Sequence, residues 1–260
     1  MNQKLLDYLL VHEVEGFSYL INLDQALELT IILNKKNLKK AEKDPKAIFS
    51  LAFILATIGN IFLCFPIVIL LLAAPLREVL GKECLIAYSA SLFSAIVIVT
   101  STKMEKFRTI IHEIKHAVVV MLTGNKLKKI IAESGEGYVE YQMYKDQVHF
   151  APLIALAPYF FPLLSLPGFI CVALYDTSYP VQGALALGFL LGADICFGIG
   201  EIHPHQTDFK QVVGGAFFSK LYLVGFYILW PCAITLWVKS GIIGIQHGIL
   251  FVTEHVIKSL

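Results

Sequence analysis

Residues 47–76 contain no charged side chain. A helix needs about 20 apolar residues to cross a hydrocarbon core, so this run is long enough to span a bilayer. That one feature removes most soluble folds. Composition agrees with it, since 57% of the 260 residues are hydrophobic and only 16% are charged, with a mean hydropathy of +0.69. The chain therefore reads as an integral membrane protein. A net charge of +1 excludes a strongly basic nucleic-acid binder, and the lysines gather beside apolar runs instead of forming a base-reading surface. Lipid and protein are the expected partners. Cys64, Cys84, Cys171, Cys196 and Cys232 stand singly, without a CxxC pair, and read as packing residues, not as a disulfide framework or thiolate zinc site.

The other apolar runs set the architecture. Residues 84–102 make a second crossing and form a hairpin with the first. Further runs follow at 150–174, 181–200 and 212–238, and a short one at 241–252. Pro231 interrupts the run at 212–238, which either continues into the last one or dips back at the membrane surface. Between Gly124 and the next span the texture turns polar, "NKLKKIIAESGEGYVEYQMYKDQVHF", with alternating apolar positions on both sides of "SGEG". That pattern predicts a β-hairpin at 126–142. The expected fold is an all-α polytopic membrane protein of about five to six transmembrane helices, with a small β-hairpin.

Four regions are expected: an amphipathic N-terminal region at 1–46 without a secretory signal, a transmembrane hairpin at 47–106, a membrane core at 107–238 that includes the hairpin 124–148, and an amphipathic or re-entrant end at 239–260. Lysines at 35–46 and the basic cluster "STKMEKFR" at 101–108 flank the first two spans on the same side. The positive-inside rule makes that side, and with it the N-terminus, cytoplasmic. The lysines at 126–129 fit this only if the hairpin folds back into the membrane.

Into this oily chain the stretch "TIIHEIKHAVVVMLTG" introduces His112, Glu113 and His116, the pattern HExxH. Four residues are about one helical turn, so both imidazoles lie on one face and can reach a single ion. One zinc held by imidazole and carboxylate with a position left for water lowers the pKa of that water towards about 7, and Glu113 is placed to take its proton. Ionisable groups at membrane depth cost on the order of 2.5 to 3.5 kcal/mol each, so they persist with partners or a function.

An HExxH near the start of an apolar helix, a "TG" turn, a polar hairpin with the glycine-bearing tip "GEGYVEY", more apolar spans and a late aspartate resemble the site-2 protease family of intramembrane zinc metalloproteases. The likeness runs over about residues 107–237. It implies a membrane-embedded zinc endopeptidase that cuts membrane-protein substrates within or beside their transmembrane segments. His112 and His116 would be ligands, Glu113 the general base, and an aspartate on a later helix the third ligand. Asp208 is the matching position, in the first turn of a helix that Thr207 or Gln206 starts after Pro204. Glu201, His203 and His205 are rival ligands, or the histidines support the ligands from behind. If Asp208 is the ligand, the 212–238 helix should pack beside the 109–122 helix, through Gly214, Gly215 and Ala216.

Lys115, inside the motif, must snorkel or face a polar cavity. Asp194 either lines a water path or bonds to a neighbouring helix. His149, His247 and His255 sit near span ends and read as interfacial. The hairpin edge offers a surface on which an extended substrate strand can pair, or else covers the site from the bilayer. The alternative function is a metal-binding membrane protein without protease activity, either a metal transporter or an inactive protease-like scaffold.

Overall fold

The computed structural model describes residues 51–78, 80–133, 137–175, 179–202, 207–210, 212 and 215–259. The N-terminal region 1–46 lies outside the described residues, as do His203 and His205. Helices α1 (Leu51–Ala73) and α2 (Gly81–Ser101) follow one another across a short connection but pack on different partners instead of forming a packed hairpin. Helix α3 (Glu105–Leu122) carries HExxH, and strands β1 (Lys126–Ala132) and β2 (Gly137–Gln142) pair antiparallel after it. A 3-10 turn (Lys145–Phe150) leads into α4 (Ala151–Phe160), followed by α5 (Ser165–Tyr175), α6 (Pro180–Ile199), the four-residue α7 (Thr207–Lys210) and α8 (Gly215–Ser259).

By length and apolar content four helices can cross a membrane, α1, α2, α6 and α8, or five if the bent pair α4 and α5 counts as one crossing. Helix α3 does not qualify on composition, because Glu105, Lys106, Arg108, Glu113 and Lys115 all fall within it. Large side chains such as Phe62, Phe65 and Leu72 on α1 are exposed, as a helix facing lipid requires.

Two of the expected spans come out differently. The run 150–174 is not one straight helix but α4 and α5, bent by 75°. Phe161 precedes Pro162, whose ring disfavours a helical backbone at the residue before it, and Phe161 is extended (φ −65, ψ 120). In α8 the interruption falls at Gly241 (φ 58, ψ −174), and the helix runs through Pro231. Glycine takes that backbone without a Cβ penalty. The carbonyls freed there and at the end of α1 are bound reciprocally. Arg77 donates to Trp237 O (2.9 Å), Ser240 Oγ to Pro75 O (2.6 Å) and Lys239 Nζ to Leu71 O (2.7 Å). These two cations and the serine hydroxyl at helix ends satisfy acceptors that lipid could not.

The tightest helix contact is between α2 and α6, which run parallel. A Cβ on Gly188 would lie 2.2 Å from Tyr88 O, and one on Gly192 would lie 2.7 Å from Leu92 O. Small residues let the two backbones meet. Helix α8 packs chiefly on α1, where Asn60 Nδ2 donates to Tyr222 O (3.2 Å). The expected pairing of the 212–238 helix with the HExxH helix is therefore corrected: among the described residues α4 contacts both α3 and α8, and α3 takes α4 and the hairpin as its main neighbours. Asp208 rides on α7, a separate element, so its position does not require α8 to lie against α3.

Candidate metal centre

Helix α3 begins at the end of α2, where Arg108 donates to Val99 O (3.0 Å). His112 comes about 10 Å further along, at 1.5 Å per residue. The two rings and the carboxylate that the sequence singles out meet there. One ligand atom each from His112, His116 and Asp208 lies within 4.8 Å of the other two. Asp208 Oδ2 is 3.8 Å from His112 Nε2 and 3.9 Å from His116 Nε2.

Both imidazoles turn Nε2 inward because Nδ1 is directed elsewhere. His116 Nδ1 is 2.7 Å from Ile154 O on α4, and His112 Nδ1 faces Glu201 Oε2 at 3.8 Å. The carbonyl behind His116 fixes its tautomer and leaves the inner nitrogen unprotonated for a metal, whereas His112 Nδ1 makes no hydrogen bond among the described residues. Three ligands about 2.1 Å from a tetrahedral ion stand about 3.4 Å apart. The two separations from Asp208 exceed that by a few tenths of an ångström, and the donor set, two imidazoles and a carboxylate, is one that zinc accepts. The residues fit the ion.

Asp208 is held from α4 as well. Tyr159 donates its hydroxyl to Asp208 Oδ2 (2.9 Å) and stacks on Phe209 with ring centroids 4.8 Å apart. The Tyr159 carbonyl, released where α4 ends, accepts from the Tyr227 hydroxyl of α8. Tyr141 on β2 is near the same carboxylate; burial and then the Asp208 charge push its phenol up, so it stays a neutral hydroxyl.

Glu113 is almost fully buried, and what covers it is the hairpin. After Leu122 the chain reverses at Gly124, and Asn125 pins both ends of the hairpin, accepting from Tyr144 N (3.0 Å) while Asn125 N binds Val120 O (3.0 Å). Strand β1 is seven residues long, about 23 Å at 3.3 Å per residue, whereas Gly124 is only about 17 Å along α3 from Glu113. The strand thus reaches back to the depth of the motif. At Gly137 the first residue of β2 sits so close that a Cβ there would be 2.6 Å from Glu113 Oε1. The hairpin therefore folds back along α3.

Of the rivals weighed on sequence, Glu201 stands behind His112 and outside the cluster. Lys115 neither snorkels nor faces a cavity; it is buried with its Nζ 3.5 Å from Asp194 Oδ1. Asp194 bonds to neighbouring segments, accepting from Leu164 N, Ser165 N and Ser165 Oγ. Sequence reasoning missed Tyr159 and Gly137. Tyr159 had a signal, being the one polar side chain in 151–164. Gly137 had none beyond the glycine-bearing tip.

Apolar helices long enough to cross a membrane thus surround a two-imidazole, one-carboxylate cluster that could hold a metal ion, with a buried glutamate between the imidazoles. A family model described as Peptidase M50B-like matches residues 83–197, from the start of α2 to near the end of α6. Over that segment the chain is similar to the site-2 protease family of membrane metalloproteases. The matched segment includes His112, Glu113 and His116 and stops short of Asp208, so the convergence of Asp208 on the imidazoles is independent of it. No curated protein and no solved structure matches the chain.

Proposed function

We propose that this protein is a membrane-embedded zinc metalloendopeptidase that hydrolyses peptide bonds of membrane proteins within or next to their transmembrane segments. His112, His116 and Asp208 hold one zinc ion, and Glu113 is the general base. The observation that carries the reading is the approach of Asp208 to both inward nitrogens from an element more than 90 residues further along the chain. Zinc, when bound, polarises the scissile carbonyl and acidifies the water at its open position.

The chain's own residues do the rest. Glu113 takes a proton from the attacking water as its oxygen bonds to the carbonyl carbon. It then delivers that proton to the leaving nitrogen as the C–N bond breaks, giving a carboxyl and an amine terminus. Ile154 O keeps the His116 imidazole in one tautomer, and Tyr159 fixes the Asp208 carboxylate. The hairpin over Glu113 limits water at the site and leaves a strand edge on which an unwound substrate segment can pair.

The motif lies near the end shared by the close of α2 and the start of α3, beside Lys103, Lys106 and Arg108. By the positive-inside rule this end is cytoplasmic, as is the N-terminus. Glu113→Gln tests the mechanism: the amide keeps the shape but takes no proton. Purified Glu113→Gln protein should retain stoichiometric zinc and lose cleavage of a panel of transmembrane-segment peptides by at least about 100-fold. Undiminished cleavage would remove Glu113 from the reaction.

A further inference from the structure

The metal cluster does not use the most expensive polar group nearby. Lys115 lies next to ligand His116, and its side chain is 2% exposed; the Asp194 side chain, on α6, is 6% exposed. At Leu164 and Ser165 helix α5 starts anew after the 75° bend, which leaves backbone N–H groups without helical partners at membrane depth. Asp194 supplies acceptors from another helix. Its Oδ2 takes Ser165 N at 2.7 Å, Ser165 Oγ at 2.7 Å and Leu164 N at 3.0 Å. Trp230 of α8 then donates Nε1 to Ser165 Oγ (2.9 Å). Lys115 balances the carboxylate's charge.

One carboxylate thus fastens the HExxH helix to the bend at the far end of α4. Helix α4 in turn carries the groups behind two of the three ligands, Ile154 O against His116 and the Tyr159 hydroxyl against Asp208. Rotating α3 about its axis pulls Lys115 away from Asp194, and sliding α4 along α3 pulls Leu164 and Ser165 away from the same carboxylate.

Resting on the zinc reading above, we propose that Lys115 and Asp194 are positioning residues whose buried ion pair sets α3 against α4. The pair thereby fixes the geometry in which His112, His116 and Asp208 hold the metal. Breaking a buried pair by removing one partner strands a charge, whereas neutralising both does not. The test uses the full-length protein in detergent, with Lys115→Met, Asp194→Asn and the double variant. Zinc affinity is measured by chelator competition, and the cobalt(II) absorption spectrum is recorded at saturating cobalt on monodisperse material.

Each single variant should bind zinc about 10- to 100-fold more weakly and shift the saturated cobalt bands. The double variant should lie closer to wild type than either single one on both measures. A role in stability alone leaves the saturated spectrum unchanged, and that result would overturn the proposal, as would losses in the double variant equal to the product of the single ones. If Asp194→Asn does not yield folded protein, Ser165→Ala is read instead. It removes one donor to Asp194 and keeps the ion pair, so it should shift the cobalt bands in the same direction, and a wild-type spectrum would count against the proposal. Wild-type protein that binds no zinc would sink the metalloprotease reading, and this inference with it.

Discussion

Replacing Gly137 by alanine puts one methyl group where the hairpin meets Glu113. The added Cβ would be 2.6 Å from Glu113 Oε1, 2.7 Å from Cγ and 2.9 Å from Cδ, all well inside van der Waals contact, about 3.5–4.0 Å for carbon pairs. The φ of Gly137 is not in the left-handed region, so alanine introduces no backbone strain of its own. The contact has to be relieved by moving either the strand or the glutamate, by about 1 Å. Glu113 is the far end of a flexible side chain, and it gives way more easily than a strand paired at Ala132.

A displacement of about 1 Å at a reacting group costs on the order of 100-fold in rate. The metal ligands make none of these contacts. Gly137→Ala should therefore lower kcat for a transmembrane-segment peptide about 100-fold while zinc content stays at the wild-type level. Tyr138→Ala, one residue further on and 53% exposed, serves as the control and should stay within a few-fold of wild type. Full activity in Gly137→Ala would mean that the hairpin does not rest on Glu113 in the working enzyme, and the assignment of the hairpin as the cover of the site would fall.

Asp208→Ala should abolish zinc binding and activity together, measured by metal analysis after dialysis; zinc retained in that variant would reassign the third ligand. Tyr159→Phe removes only the hydroxyl that Asp208 accepts and should weaken zinc binding about 10- to 100-fold by chelator competition, with unchanged affinity removing Tyr159 from the site. Gly188→Ala forces a methyl to within 2.2 Å of Tyr88 O and should destabilise the α2–α6 pair by about 1–3 kcal/mol in thermal unfolding, so an unshifted transition would contradict the close approach. A cysteine introduced at Lys106 should resist impermeant maleimide applied outside intact cells, and labelling there would reverse the orientation.

How far the sequence discloses this molecule depends on the range of the interaction concerned. Charge-free runs such as 47–76 and 84–102 declare α1 and α2 because hydrophobic length is a local property. The hairpin at 126–142 is legible for the same reason, since strand alternation and turn residues are neighbours in the chain. His112 and His116 are paired by helical spacing alone. Asp208 is different: resemblance nominates it, and only the three-dimensional path of the chain brings it to the imidazoles.

Lys115 and Asp194 show where local reasoning stops. Each taken alone is a charge with no partner in a span, and the sequence permits snorkelling, a cavity or a water path for them. The bend at Phe161–Pro162 decides between these options. Once the backbone breaks there, Leu164 and Ser165 present N–H groups that need a buried acceptor, Asp194 becomes that acceptor, and Lys115 of α3 supplies the cation that balances its charge. A proline in one segment thus accounts for a lysine in another, 47 residues away and adjacent to His116, and replacing Pro162 by alanine would test the chain of cause. If the bend straightens, Asp194 loses its backbone donors and should then tolerate Asp194→Asn with Lys115→Met at no further loss of zinc affinity; a strong additional loss would show that the pair exists for some reason other than the bend.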